Sequence, residues 1–337
     1  MDKINCFKNN LMDFNDIEEG ALINLLARSF GVPLENGVLN FPAEIGSGYI
    51  RRLKINHKMQ VFIRNFELKK ERRVIRENIE NDKNLIIIAF HNIFKTDHYK
   101  ENNTSGLLTS KINLPSALIS SVSLDREIIL PAGMKTSSIV IAIYSDYLKE
   151  LLNSQENSNL IQTIVSGEQS FLFEEIVSPE MQELAAKIVN ANVPDQLQGL
   201  YFRAKAELLI YLLLVELLKR NETSLASINA ADVKIMYRVR DKILQNINEP
   251  PRLEDLVLFS GMSKSKLQNL FKQVFGDSIY NYYQSFRMRQ AADMIREERI
   301  SVSQVGYIMG FSNLSHFSRM FEKHIGFKPK RYAQLSK

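Results

Sequence analysis

Hydrophobic positions change their spacing twice along this chain. Near the start, Ile17, Leu22, Leu25 and Leu26 fall at helical intervals, and Gly31-Val32-Pro33 ends the run. From residue 48 to 143 the rhythm shortens. Runs at 49–55, 59–68, 72–79, 85–91, 117–124, 127–130 and 137–143 are rich in Ile, Val and Phe. Several alternate apolar with polar, as in Val61-Phe62-Ile63-Arg64-Asn65-Phe66-Glu67-Leu68. Asn81-Asp82, Ser105-Gly106 and Pro131-Ala132-Gly133 punctuate them. Many short strands at this spacing predict a β-sandwich or small barrel. The stretch 85–90 is apolar throughout, which predicts a strand buried on both faces.

Beyond residue 144 the period becomes helical. Ser145-Asp146 opens a helix over 147–152, and 153–159 is a polar linker. Phe171-Leu172-Phe173 leads into Ser178-Pro179-Glu180, where a Ser cap followed by Pro at the first helical position starts a helix running to Val189. A longer helix over 198–220 is apolar nearly all round from Leu208 to Leu218. Such a helix must be covered on most faces. The cover is either its own domain, as the central helix of a monomeric layer, or a second subunit, and self-association is the expectation. Residues 221–231, polar and small, read as a linker. A helix over 233–248 follows, stopped by Pro250-Pro251.

The last hundred residues repeat themselves. Gly261-Met262-Ser263 recurs as Gly310-Phe311-Ser312 at an offset of 49, and Leu267, Phe271, Gly276 and Tyr282 recur as Phe317, Phe321, Gly326 and Tyr332 at an offset of 50. In the first copy Leu253, Leu256 and Val257 line a short helix, Gly261 takes the turn, and Ser263 can cap a second helix. Leu267, Leu270, Phe271 and Val274 then fall at i, i+3, i+4, i+7 and face inward. In the second copy Val302, Val305 and Ile308 are expected to pack the short helix, Gly310 turns, and Ser312 or Asn313 caps. Leu314, Phe317, Phe321 and His324 face inward. Short helix, glycine turn, second helix is the helix-turn-helix pattern. Between the copies one helix, 278–297, directs Ile279, Tyr282, Phe286, Ala291 and Ile295 at the core. At ~1.5 Å per residue it is long enough to set two recognition helices about one DNA turn, ~34 Å, apart.

Charge sharpens this picture. Residues 232–337 carry 18 Lys and Arg against 10 Asp and Glu, while the rest of the chain carries 25 against 28. A basic segment on a slightly acidic body points to a polyanion. The outward residues of the two second helices are Lys264, Ser265, Gln268, Asn269 and Lys272, then Asn313, Ser315, His316, Arg319 and Lys323. Gln and Asn bond adenine bidentately, Arg suits guanine, and Lys and Ser serve phosphates. These residues are the candidate DNA-binding sites, and the outward sets differ between copies although the scaffold repeats. The expected target is therefore an asymmetric bipartite sequence. Leu258 and Phe259 are apolar residues expected on the surface, with either a docking role or a local packing role.

The remaining composition excludes more than it adds. A lone Cys6 allows no internal disulfide, and MDKINCFKNNLMDF lacks the pattern of a signal peptide. The apolar run 208–215 is bracketed by Glu207 and Glu216 and is far shorter than the ~20 residues of a membrane span. A cytoplasmic protein is expected. His57, His91 and His98 are far apart in sequence and contain no closely spaced pair, and no Gly-rich phosphate loop or Gly-x-Ser-x-Gly motif occurs. Neither a metal site, a cofactor nor a catalytic centre is expected.

Residues 233–335 resemble the DNA-binding domain of AraC/XylS-type bacterial regulators. The resemblance is carried by Gly310-Phe311-Ser312-Asn313-Leu314-Ser315-His316-Phe317-Ser318-Arg319-Met320-Phe321 and Gly326-Phe327-Lys328-Pro329-Lys330-Arg331-Tyr332, with Tyr282, Arg287 and Ala291 in the linking helix. It implies base-facing roles for Ser265, Gln268 and Asn269, and for Ser315, His316 and Arg319. It also implies that the strand-rich part, through 128–133 and 139–143, is a cupin-like sensing barrel. The helices at 178–184 and 201–218 look like the helical segment of a branch that includes siderophore-responsive regulators. The expected architecture is α+β in two parts: a cupin-like β-rich sensing domain over 1–155, a helical dimerisation segment over 156–230, and an all-α double helix-turn-helix domain over 231–337. The implied function is promoter recognition by a homodimeric activator under a small effector, with RNA polymerase as a further partner. Two alternatives stay open: a regulator controlled by a protein partner or by its own concentration, and a cupin-type metalloenzyme with a DNA-binding tail.

Overall fold

A computed structural model of the chain describes residues 21–75, 84–93, 115–121, 127–130, 132–152, 158–220, 225–246, 249–297 and 300–335. Cys6, His98, Pro131, the turns at Asn81-Asp82 and Ser105-Gly106, and the ends of the runs expected over 72–79 and 117–124 lie outside the described residues. The chain divides into two compact units, Met1–Ala230 and Ala231–Lys337.

Among the described residues the first unit has α1 (Ala21–Phe30), then β1 (Leu34–Glu35), β2 (Val38–Asn40), β3 (Gly46–Lys54), β4 (Met59–Leu68), β5 (Arg72–Ile75), β6 (Leu85–His91), β7 (Ser116–Ser121), β8 (Glu127–Leu130) and β9 (Lys135–Tyr144). Then come α2 (Ser145–Leu152), α3 (Asn159–Ser166), β10 (Leu172–Ile176), α4 (Pro179–Val189) and α5 (Gln198–Leu218). Eight strands form one antiparallel sheet in the order β1-β2-β3-β4-β9-β6-β7-β10, and β5 pairs with β8 in a second, two-stranded sheet.

Strand alternation gives the large sheet two apolar faces. On one, Val61, Ile63, Ile88, Phe90, Ile119, Ile139 and Ile141 form a core with α2 to α5. On the other, Phe62, Phe66, Ala89, Leu118 and Val140 pack with Leu26, Phe30 and Phe41 from the α1 end of the chain. The predicted two-sided burial of 85–90 is realised, since Ile86, Ile88 and Phe90 enter the first core and Ala89 the second.

Several elements had no clear sequence signal. β1 and β2 span two and three residues, too short to show a period. β10 was visible only as Phe171-Leu172-Phe173, and α3 follows the polar linker without any charge to mark it. The N-cap of α4 is as expected, with the Ser178 hydroxyl accepting from the Met181 N–H at 3.2 Å. Part of the stretch read as a linker is packed: Ile228 is buried and its N–H donates to the Ser170 carbonyl at 3.1 Å, because Ile228 and Leu225 are apolar enough to be drawn onto the first unit.

Among the described residues the regular structure of the second unit is helical: α6 (Ala230–Leu244), α7 (Leu253–Ser260), α8 (Lys264–Phe275), α9 (Ile279–Glu297), α10 (Val302–Ile308), α11 (Leu314–Ile325) and α12 (Pro329–Leu335). Its central member, α9, is buried on more than the predicted face. Ile279, Tyr282, Phe286, Ala291 and Ile295 are buried, and so are Tyr283, Gln284, Arg287, Met288 and Ala292. A helix between two packing units has little surface left for water, which explains why its apolar periodicity is weak in the sequence.

Candidate nucleic-acid interface

Each copy of the repeat is built by the same local devices. Gly261 and Gly310 sit in the turns at φ of 66° and 77°, a backbone region that costs a side-chain-bearing residue roughly 1–2 kcal/mol. The Ser263 hydroxyl accepts from the Lys266 N–H at 3.3 Å and starts α8. In the second copy the capping falls to Asn313 rather than Ser312: its Oδ1 accepts from the Ser315 and His316 N–H groups at 2.9 and 3.1 Å. Ser301 and Gln304 form a reciprocal capping box at the start of α10, with bonds of 2.9 and 3.2 Å.

Packing behind the two second helices also repeats. Phe271 meets Tyr282 edge-on at 5.4 Å, and Phe321 meets Tyr332 in the same way at 5.6 Å. Leu267, Phe271 and Val274 are fully buried in the first copy, and Phe317 and Phe321 in the second, with Leu314 and His324 half-buried. One inward position differs from expectation. Ile308 is 52% exposed, and Met309 takes its place in the core. Helical geometry gives the reason: from Val302, the steps of three, four and seven are Val305, Gly306 and Met309, and Ile308 lies off that face.

Arg287 ties α9 to the second turn. It is buried, donates from Nη2 to the Met309 carbonyl at the end of α10, and lies 4.9 Å from the Phe311 ring and 5.3 Å from Tyr283. Its partners are the Met309 carbonyl, the Gln284 Oε1 at 3.4 Å and two ring faces, while its buried Nε has no hydrogen-bond partner.

The outward faces are open. Lys264, Ser265, Gln268, Asn269 and Lys272 on α8 are all exposed, as are Asn313, Ser315, His316, Arg319 and Lys323 on or beside α11. The capping bonds use the Asn313 oxygen, so the contact group it offers outward is its amide NH2. His316 is held edge-on against Phe311 at 5.6 Å. Lys266, outside the set of outward residues named from the sequence, is exposed on α8 yet pairs with Asp232 of α6 at 3.0 Å. That pair braces the first copy against the helix before it, and only a fold could show it, since 34 residues separate the partners. No acidic side chain occurs in α8, so its surface attracts anions without internal competition. Of the exposed apolar pair, Leu258 is 82% and Phe259 40% exposed, and Phe259 is covered in part by the Arg238 guanidinium at 5.1 Å.

Among the described residues no group of three or more His, Cys, Asp or Glu side chains is placed to hold a metal ion, and no helix is long and apolar enough to cross a membrane.

Residues 259–334 match a helix-turn-helix domain family. The probable transcription factor PqrA of Proteus vulgaris is 30% identical over 87 residues, which are 26% of this chain and 71% of PqrA. The regulatory protein PchR of Pseudomonas aeruginosa is 35% identical over 75 residues, 22% of this chain and 25% of PchR. The chain spans only about a quarter of the length of several such relatives. A solved structure of a transcriptional regulator with an AraC-type DNA-binding domain, from Chromobacterium violaceum, is 28% identical over 32% of this chain and 96% of its own, with a TM-score of 0.30. These relatives are named as a probable transcription factor, a regulatory protein and a transcriptional regulator, not as enzymes. With two helix-turn-helix copies built alike and a relative matched over most of its length, this chain belongs to the AraC/XylS family of bacterial transcriptional regulators.

Proposed function

We propose that the protein is a sequence-specific activator that reads two successive major grooves of promoter DNA with α8 and α11. One observation carries this reading: in both copies the second helix has a buried apolar face and a fully exposed polar and basic one. In a helix-turn-helix the second helix enters the major groove and reaches base edges from its N-terminal half. Gln268 and Arg319 then serve adenine and guanine edges, Ser265, Asn269, Ser315 and His316 lie beside them, and Lys264, Lys272, Lys323 and the Asn313 amide serve the backbone. A small effector in the N-terminal sheet unit shifts the geometry that the DNA-binding unit can adopt, and the protein acts as a homodimer. The boundaries proposed for these roles are 1–155 for sensing, 156–230 for dimerisation and 231–337 for DNA binding. Leu258, exposed at the end of α7, is proposed as a contact for RNA polymerase.

Footprinting on upstream DNA, followed by anisotropy titrations, tests the reading. Arg319→Ala should cost ~1–3 kcal/mol on the specific site and relax preference at one base pair, while Lys272→Ala should weaken all sequences alike and reduce the salt slope by about one. Absence of any sequence-specific site would overturn the proposal. Leu258→Glu should lower transcription with purified polymerase and leave DNA affinity unchanged; a matching loss of DNA affinity would make Leu258 structural.

A further inference from the structure

The two second helices repeat position by position, and one position reverses its charge. At the offset of 50, Ser265, Gln268, Asn269 and Lys272 on α8 answer to Ser315, Ser318, Arg319 and Glu322 on α11. Steps of three and four place each set along one stripe of its helix. Lys272 and Glu322 are both exposed, as are Ser265, Asn269, Ser315 and Arg319. Phe317 and Phe321 are sealed on the opposite side of α11. Glu322 therefore shares the outward face of Ser315 and Arg319, although it is not among the outward residues named from the sequence. At ~1.5 Å per residue it stands about 4.5 Å along the axis beyond Arg319. Among the described residues the side chains of Arg319 and Glu322 make no ion pair or hydrogen bond, so both are open to a ligand.

A carboxylate on this face is a liability beside DNA. The duplex carries about one phosphate charge per 1.7 Å of its axis, which repels it. A carboxylate accepts hydrogen bonds and donates none, so it is favoured only where a base edge offers a donor. The major groove offers two, the exocyclic amines of cytosine and adenine. The adenine amine lies between two acceptors, its own N7 and the O4 of the paired thymine. The cytosine amine has an acceptor on one side only, the O6 of the paired guanine. That O6, with N7, is what an arginine takes.

We propose that Arg319 and Glu322 read one G·C base pair together, Arg319 donating to guanine O6 and N7 and Glu322 accepting from cytosine N4. The proposal rests on the reading role given to α11 above and adds to it a base pair and a second residue that fixes its orientation. With the pair reversed, Glu322 would meet the guanine acceptors and Arg319 the cytosine amine, two mismatches at once. No acidic side chain stands on α8, so this determinant belongs to the α11 half-site alone and gives the bipartite target its direction.

The test uses the full chain. Selection from a randomised duplex pool, followed by anisotropy on duplexes carrying each base pair at the selected position, should show a preference of about tenfold or more for G·C. Glu322→Ala and Arg319→Ala should each lower that preference about fivefold or more at the same position. Glu322→Gln should shift it toward adenine in place of the cytosine, because an amide bonds adenine N6 and N7. Tm should stay unchanged in the Glu322 variants, since the carboxylate has no partner to lose. Three results overturn the proposal and leave the reading role of α11: tighter binding of Glu322→Ala to every duplex alike with the preference intact, a wild-type preference for adenine where cytosine is expected, or effects of Glu322→Ala and Arg319→Ala at different positions. Failure of the wild type to select any sequence overturns the reading role itself.

Discussion

Single residues decide how α11 is held and how it responds to pH. The side chain of His324 is half-buried near the end of α11, and its Nε2 is buried without a hydrogen-bond partner. Burial, and then the neighbouring Lys323, holds its imidazole below the ordinary value of 6.5, with Asp277 opposing and Arg289 adding to the effect. The helix C-terminus favours a cation there, but desolvation outweighs it. Because the folded state binds this proton more weakly than the unfolded chain, the unfolded state takes up more protons as pH falls below 6.5, and stability falls with it. The Tm of the second unit should therefore drop between pH 7.5 and 5.5, and His324→Gln should flatten that dependence. A variant that keeps the full slope would assign the effect to another group. His324 was legible in the sequence as an inward position, but its missing partner was not, since partners come from packing.

At the scale of elements, the repeat was largely readable because its devices are local. A glycine turn, a Ser or Asn cap and an i, i+3, i+4, i+7 stripe all lie within a dozen residues. The error at Ile308 shows the limit: α10 has seven residues, barely two turns, so one misplaced position rotates the inferred face. Gly306 occupies the real face. A Cβ placed there would lie 2.7 Å from Leu314 Cδ2 and 3.1 Å from Phe317 Cδ1. Leu314 can rotate away, but Phe317 is fully buried and cannot. Gly306→Ala should destabilise the second unit by ~1–3 kcal/mol, and protection of the α11 half of the DNA site should weaken before the α8 half. Equal loss at both halves in footprinting would mean that the strain spreads through α9.

On the scale of the whole molecule, the chain divides into two compact units, and the proposed function places reading in the second and control in the first. A fragment of residues 231–337 should fold and protect the same bipartite sequence, with weaker binding than the full chain because the linkage between two copies is lost. Footprinting and gel filtration of the fragment check this, and a fragment that binds no specific sequence would show that the first unit completes the reading surface. In the first unit the sheet and α2 to α5 share one core, so the helices read as a separate segment are continuous in packing with the strands. Hydrophobic content alone could not show this, because a helix that is apolar all round is equally consistent with burial by strands, by helices or by a second chain.

The sequence by itself determined what depends on neighbours a few residues apart: the strand rhythm from 48 to 143, the caps and turns of the repeat, the basic balance of the last hundred residues and the outward placement of Gln268 and Arg319. Tertiary structure alone decided what depends on distant partners. It set the strand order β4-β9-β6, the bracing of Lys266 by Asp232, the burial of Arg287 under the second turn and the side of α5 left bare. The physical reason is range: caps, turns and periodicity are short-range geometry written in adjacent residues, whereas burial is a competition among all apolar surfaces of the chain, settled only when they meet.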